Sequence, residues 1–396
     1  MLKRISSRAF CSLFLFSMLA TGVSVRAETG EEGIIALKPG PWGSLEYLPI
    51  TVAAPEELLK VRGIESTPVT WFFKGFSRES LAKLLSDLEV QPVDREKMLD
   101  PQTLSVLGKG VYMTPPREAL MNLTPRARQG IYKALRNSRE NEGMEWQFLS
   151  KNLNTFRDLG VSEETLALLD RLSSQNGKFT ICYSMPFVFS GISTYEEKAR
   201  LAGALTQQQT MLLKLRVTPA SDIHALISYW GKAFWHTDVK SILESIKRLP
   251  AGGFLDVIEL LPPNPTALLY NYPLPQNNLT GPAISMNCTW TAFNFFRDPP
   301  DSAFANPNYV LAKLKTEYYP VQSDPQFGDV ILFLTPGGYM IHAAVYIADD
   351  IVYSKNGDNP WHPWIFTKIS DLTESFSFSV PQGQQLSVLY FRNKYY

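Results

Sequence analysis

Cysteine and histidine are scarce, three and four residues in a chain of 396. The N-terminal two thirds show no metal-ligand spacing and no glycine-rich phosphate loop, so neither a metal nor another cofactor is expected. Charge of one sign is absent too: 38 basic side chains balance 38 acidic ones. That balance leaves no electrostatic footprint for nucleic acid. No repeat of fixed period appears. Long apolar runs are also missing. Phe10 to Ala20 falls short of the roughly 20 residues of a stable membrane anchor. Val330 to Ala348 is uncharged, but Pro336-Gly337-Gly338 interrupts it and His342 lies inside it. That window reads as two buried strands joined by a turn. What is present is apolar and aromatic: 45% apolar and 12% aromatic residues, with only 19% charged. This supports a large packed core and excludes a disordered, collagen-like or coiled-coil chain.

Residues 1–27 read as a secretory signal. Lys3, Arg4 and Arg8 form a basic front, Phe10 to Ala20 the apolar stretch, and Val25-Arg26-Ala27 the small-residue cleavage site. Removal leaves 34 basic against 38 acidic side chains, a net charge of −4. The expectation is an exported protein, periplasmic or extracellular, with no membrane span after processing. Cys11 leaves with the signal, so Cys182 and Cys288 remain. Two cysteines in an exported chain can form one disulfide. Their surroundings differ, however. Phe179-Thr180-Ile181-Cys182-Tyr183 is a buried-strand pattern, whereas Cys288 stands in a polar turn before an aromatic, helix-like run. Asn122, Asn278 and Asn287 each begin an N-x-Ser/Thr triplet.

The chain up to about residue 265 reads as mainly helical with short strands. Ser77, Thr124 and Ser162 are helix caps ahead of leucine-rich stripes, and Pro125 suits a first helical position. Ser193 with Glu196 forms a capping-box pattern, and Thr237 opens a helix ended by Pro250 and Gly252-Gly253. His224 and His236, each alone among aromatics, read as core or surface histidines. A Pro-, Asn- and Gly-rich stretch from Pro262 to Pro282 marks a composition shift. The domain boundary falls there, giving 1–27 as signal, 28–265 as a helical domain of unknown role, and 266–396 as a second domain.

Three pieces of the last 120 residues carry chemistry. In Asn287-Cys288-Thr289-Trp290-Thr291-Ala292-Phe293, the cysteine stands where a helix starts. Unpaired backbone N–H groups and the helix dipole there favour a thiolate. Gly328-Asp329 turns into the strand Val330 to Phe333. His342 then leads a β-branched run, and Asp349-Asp350 turns it into Ile351-Val352-Tyr353-Ser354-Lys355-Asn356. A tight turn would place Asn356 across from His342, and alternation puts His342, Ser354 and Asn356 on one face. A histidine that takes and returns a proton needs its other ring nitrogen fixed by an acceptor. Asn356 is the first candidate and Ser354 the lesser one. His362, between Trp361 and Pro363-Trp364, reads as a rim residue. Tyr270 and Tyr272 read as packing residues.

A cysteine at a helix start, a Gly-Asp strand and a His-led hairpin about fifty residues later resemble the NlpC-type, papain-like cysteine peptidases of cell-wall turnover. The resemblance covers only about residues 270–396. It implies an α+β domain with the nucleophile on a helix packed against an antiparallel sheet, and the base and a third polar residue on adjacent strands. It also implies peptide or peptidoglycan-fragment substrates cut at an amide bond. Cys288 matches the nucleophile, His342 the base and Gly328-Asp329 the structural turn. The chain departs from the pattern in having Asn287-Cys288-Thr289-Trp290 for the usual Asp-Cys-Ser-Gly, and Ala343-Ala344 for Val-Gly. Ser354 stands where a second histidine is common. The catalytic set expected is Cys288, His342 and Asn356. Two rivals remain: a non-catalytic binding protein on this scaffold, and a Cys-His enzyme of acyl transfer or lipid hydrolysis.

Overall fold

The computed structural model describes residues 25–26, 33–55, 58, 69–136, 138, 140–141, 146–150, 152–177, 179–232, 236–273, 286–357, 361–377, 380 and 384–395. Most of the expected signal and the Asn278 triplet therefore lie outside the described residues. The chain opens with β1 (Val25–Arg26), β2 (Ile35–Ala36) and β3 (Ser44–Val52). A lobe follows, spanning residues 53–206. It holds β4 (Trp71–Lys74), α1 (Arg78–Asp87), α2 (Pro92–Met98), β5 (Leu104–Leu107), β6 (Gly110–Met113), α3 (Arg117–Asn122) and α4 (Pro125–Leu135). Its second half holds β7 (Trp146–Leu149), α5 (Asn152–Asp158), α6 (Glu163–Leu172), β8 (Ser174–Asn176), β9 (Phe179–Cys182), α7 (Met185–Ser190) and α8 (Tyr195–Leu205). The chain returns as β10 (Gln208–Val217), then α9 (Ile223–Trp230), α10 (His236–Lys247), β11 (Gly253–Asp256) and α11 (Pro263–Leu268). The last part holds α12 (Cys288–Phe293), α13 (Pro307–Glu317), β12 (Tyr318–Val321), β13 (Val330–Leu334), β14 (Met340–Ala348), β15 (Ile351–Lys355), β16 (Trp364–Lys368), α14 (Ile369–Phe376) and β17 (Ser387–Asn393). Helices with antiparallel sheets make this an α+β fold. No helix among the described residues is long and apolar enough to cross a membrane.

The expected caps at Ser77, Thr124 and Ser162 each accept a backbone N–H of the first helical turn. The box expected at Ser193 does not form. Thr194 caps α8 by accepting from the Glu197 N–H. The Glu197 carboxylate is instead taken by the hydroxyls of Ser162 and Thr165 on α6. The short strands expected among its helices form two small sheets, β4–β6–β5 and β7–β9–β8.

The hydrophobic cores run across the boundary expected near residue 265. One core fills the lobe and takes in Tyr272 and Trp361 from the later chain. The other joins β3, β10, α9 and α10 to α12 and one face of the C-terminal sheet. The lobe is thus an insertion between two strands, β3 and β10, which pair antiparallel from Val52–Gln208 to Ser44–Arg216. The C-terminal sheet has the order β12–β17–β13–β14–β15–β16. Val330–Leu334 and Met340–Ala348 are the two strands expected of the uncharged window, paired antiparallel.

Gly328 fixes how α12 meets this sheet. Its φ of +88° is a left-handed conformation, and a Cβ built there would stand 2.1 Å from the Phe296 ring. The Gly328 N–H donates to the Tyr346 carbonyl, and the Tyr346 N–H to that of Asp329. The buried Asp329 carboxylate receives the Arg392 guanidinium through two bonds of 2.7 and 2.8 Å. Bidentate pairing is what makes such a buried charge tolerable. Gly328→Ala combines positive-φ strain with overpacking. We expect it to destabilise the protein by about 3 kcal/mol in urea unfolding. A loss under about 0.5 kcal/mol would mean that Phe296 yields freely.

Candidate active site

Asn287 builds the start of α12. Its Oδ1 accepts from the Trp290 N–H and the Thr289 hydroxyl, both at 2.8 Å. Its Nδ2 donates to the Ala305 carbonyl at 3.2 Å. The asparagine of this N-x-Thr triplet is therefore engaged inside the fold. Asn122, of another triplet, points its amide at the buried Asp94 carboxylate. Cys288 is the first residue of α12 and is half-buried, and Thr291 accepts from the Trp364 indole at 2.9 Å. Cys182 lies at the end of β9, fully buried, and burial pushes its thiol up to about 11. No disulfide joins the two cysteines.

His342 stands on β14 beside a bulge. Phe333 pairs with His342 but Leu334 with Met340, so Ile341 is the extra residue. Bulges of this kind re-aim neighbouring side chains. Alternation places His342 on the face shared with Ala344 and Tyr346, and α12 covers the other face through Ala343 and Val345. The imidazole is 1% exposed. It stacks on Phe376 of α14 at 4.5 Å and meets Phe333 at 5.6 Å.

The hydrogen bonds of His342 differ from the expected pairing. Its Nε2 lies 2.9 Å from the Ser354 hydroxyl, and that hydroxyl lies 3.3 Å from Asn356 Oδ1. Ser354, not Asn356, touches the histidine. The reason is the twelve-residue offset: Ser354 is the diagonal neighbour of His342 on the same face, and the β14–β15 ladder ends at Val345–Tyr353. The chain of bonds also fixes a tautomer. An amide oxygen only accepts, so the Ser354 hydroxyl donates to Asn356, and its oxygen accepts from His342 Nε2–H. Nδ1 then carries the lone pair. It makes no hydrogen bond among the described residues.

A cavity of about 790 Å³ brings the parts together. Cys288, His342, Asn356 and His362 all line it, and the lobe supplies Arg136, Gln147 and Ser150 as a facing wall. His362 Nδ1 lies 2.6 Å from the Asn356 carbonyl. His224 is exposed on α9, away from the cavity, and the side chain of His236 lies outside the described residues. Tyr270 and Tyr272 spend their hydroxyls on the backbone carbonyls of Met211 and Thr206 and do not line it. The lobe wall was not legible in the sequence, because an arginine and two polar residues on separate elements carry no local pattern. Among the described residues, no cluster of three or more His, Cys, Asp or Glu could hold a metal ion. Comparison with family models, curated proteins and solved structures gives no match for this chain.

Burial lowers the His342 imidazolium to about 3 from an ordinary 6.5, and Coulomb repulsion from Lys355 and His362 pushes the same way. The unfolded chain therefore binds a proton near pH 6.5 that the folded chain refuses until about pH 3. Stability contributed by the neutral ring is complete above pH 6.5 and drains away as the pH falls to 3. Urea unfolding across that window should show a His342 contribution of about 1.4 kcal/mol per pH unit. His342→Gln should remove that slope. An unchanged slope in the variant would show that other groups produce it.

Proposed function

We propose that this protein is an exported cysteine hydrolase that cleaves an amide bond, of the NlpC type its C-terminal motifs resemble. Peptides of the cell-wall stem are the substrates this reading favours. One observation carries it. A thiol at a helix start and a buried histidine line one cavity, and the histidine has its Nε2 held and its Nδ1 without a partner. The volume lies within the range of pockets for small ligands.

In the proposed reaction, the Cys288 sulfur attacks the carbonyl while its proton passes, across the cavity through a water, to His342 Nδ1, which has no direct partner at rest among the described residues. The N–H groups of the first turn of α12 would hold the oxyanion, that of Trp290 being already taken by Asn287. His342 then protonates the leaving amine, and water releases the acyl group by the reverse transfers. Ser354 orients the imidazole, with Asn356 behind it. Because His342 rests neutral, the proton moves as the sulfur attacks, rather than beforehand into a standing thiolate–imidazolium pair.

Cys288→Ala should abolish turnover without unfolding the chain. His342→Ala should slow it roughly 10²- to 10⁴-fold, and Ser354→Ala should cost less, since it orients the base without moving the proton. Stem peptides and lipid thioesters should be offered side by side, since Phe148, Leu149 and Phe179 make part of the cavity wall apolar. Turnover of the thioesters alone would favour acyl chemistry. Binding of stem peptides that is equal with and without Cys288, with no turnover, would leave a binding protein.

The base works in its neutral form, so activity requires a pH above its proton affinity. The acid limb of kcat/KM should fall near pH 3, where His342 protonates, and not near 6.5. An acid limb at 6 to 7 that persists in slow and fast substrates alike would count against His342 as the base.

A further inference from the structure

Asn356 stands just past the end of its ladder. The last β15–β16 pair is Lys355–Trp364, so no neighbouring strand holds the Asn356 carbonyl. Two side chains take over this task. His362 approaches the Asn356 carbonyl at 2.6 Å, and a carbonyl only accepts, so His362 Nδ1–H is the donor. Lys355 Nζ donates to the next carbonyl, that of Gly357, at 2.7 Å. His362 is itself fixed from both sides. Trp361 is inserted in the core of the lobe, its ring 5.6 Å from that of Trp146. Trp364 is inserted in the other core, its indole on Thr291 of α12 and its backbone paired with Tyr270 and Asn271. A loop histidine held between two cores, at the wall of the cavity, is positioned more tightly than a rim residue requires.

We propose that His362 is a positioning residue for the Cys288–His342 pair. It clamps the Asn356 backbone, Asn356 holds the Ser354 hydroxyl, and Ser354 holds His342 Nε2. Through Trp361 the inserted lobe is the anchor of this chain, so the lobe is part of the active site and not an appendage to it. The inference rests on the hydrolase reading above.

The test needs no substrate. Iodoacetamide alkylation of Cys288 is followed by mass spectrometry on the intact protein, with buried Cys182 as the internal reference. Alkylation assisted by His342 gives a plateau from about pH 4 to 7, whereas above about pH 9 the thiolate forms without help. His362→Ala should lower the plateau roughly ten- to hundredfold, the cost of a misplaced catalytic group, and leave the alkaline rate alone. His362→Asn, whose amide nitrogen stands where Nδ1 does, should restore most of the plateau. Equal loss in the Ala and Asn variants would overturn the proposal, because it would show that the ring itself transfers the proton. A plateau unchanged in His362→Ala would overturn it too, as would loss of both limbs together, which marks general disruption. The hydrolase reading fails separately, and takes the inference with it, if the wild-type protein shows no plateau.

Discussion

The six-residue helix α12 is too short to be stable in water by itself, and the placement of Cys288 depends on what holds it. Asn287 accepts the Trp290 N–H of the first turn, and the Trp364 indole reaches Thr291 from the neighbouring strand. Phe293 stacks on Phe304 at 5.4 Å and meets Tyr318 at 5.2 Å edge to face. Gly328 lets the Phe296 ring lie against the backbone where any side chain would collide. Remove this docking and the thiol has no fixed relation to β14, whatever the chemistry of its neighbours.

The sheet imposes a second constraint by burying a titratable ring among aromatics. Among the described residues the hydrogen-bond partner of His342 is a hydroxyl, and Coulomb repulsion from Lys355 and His362 opposes its charged form. Such a site holds a neutral imidazole firmly and an imidazolium badly. With Asn356 Oδ1 turned to the Ser354 hydroxyl, that hydroxyl accepts from Nε2–H and the lone pair stays on Nδ1. Burial makes the ring a weak base.

The lobe links the two. It leaves the chain at the end of β3 and returns at β10, and these paired strands tie it to the second core. Gln147 of β7 donates to Ser375 of α14, the helix that covers His342. Trp361 joins the lobe core, its ring against that of Trp146. The cavity wall is therefore made by residues more than two hundred positions apart in the chain, and its shape follows from how the lobe seats on the sheet.

Local rules fixed by the sequence were the ones that survive folding without outside help. Caps at Ser77, Thr124 and Ser162, the turn at Pro336-Gly337-Gly338 and the Asp349-Asp350 hairpin each depend on residues a few positions apart. Cys288 at a helix start and His342 on a strand were legible for the same reason. The Ser193 cap was misread by one residue, because the neighbouring Thr194 hydroxyl takes the cap position, and Asn356 because the ladder ends at Val345–Tyr353 and the diagonal neighbour Ser354 reaches the ring instead. The domain line near residue 265 was drawn from composition, which records where the chain turns and not which cores it joins. The facing lobe, the stacking of Phe376 on His342 and the clamp by His362 were beyond the sequence altogether. They are contacts between distant segments, and only the packing of two cores against each other decides them.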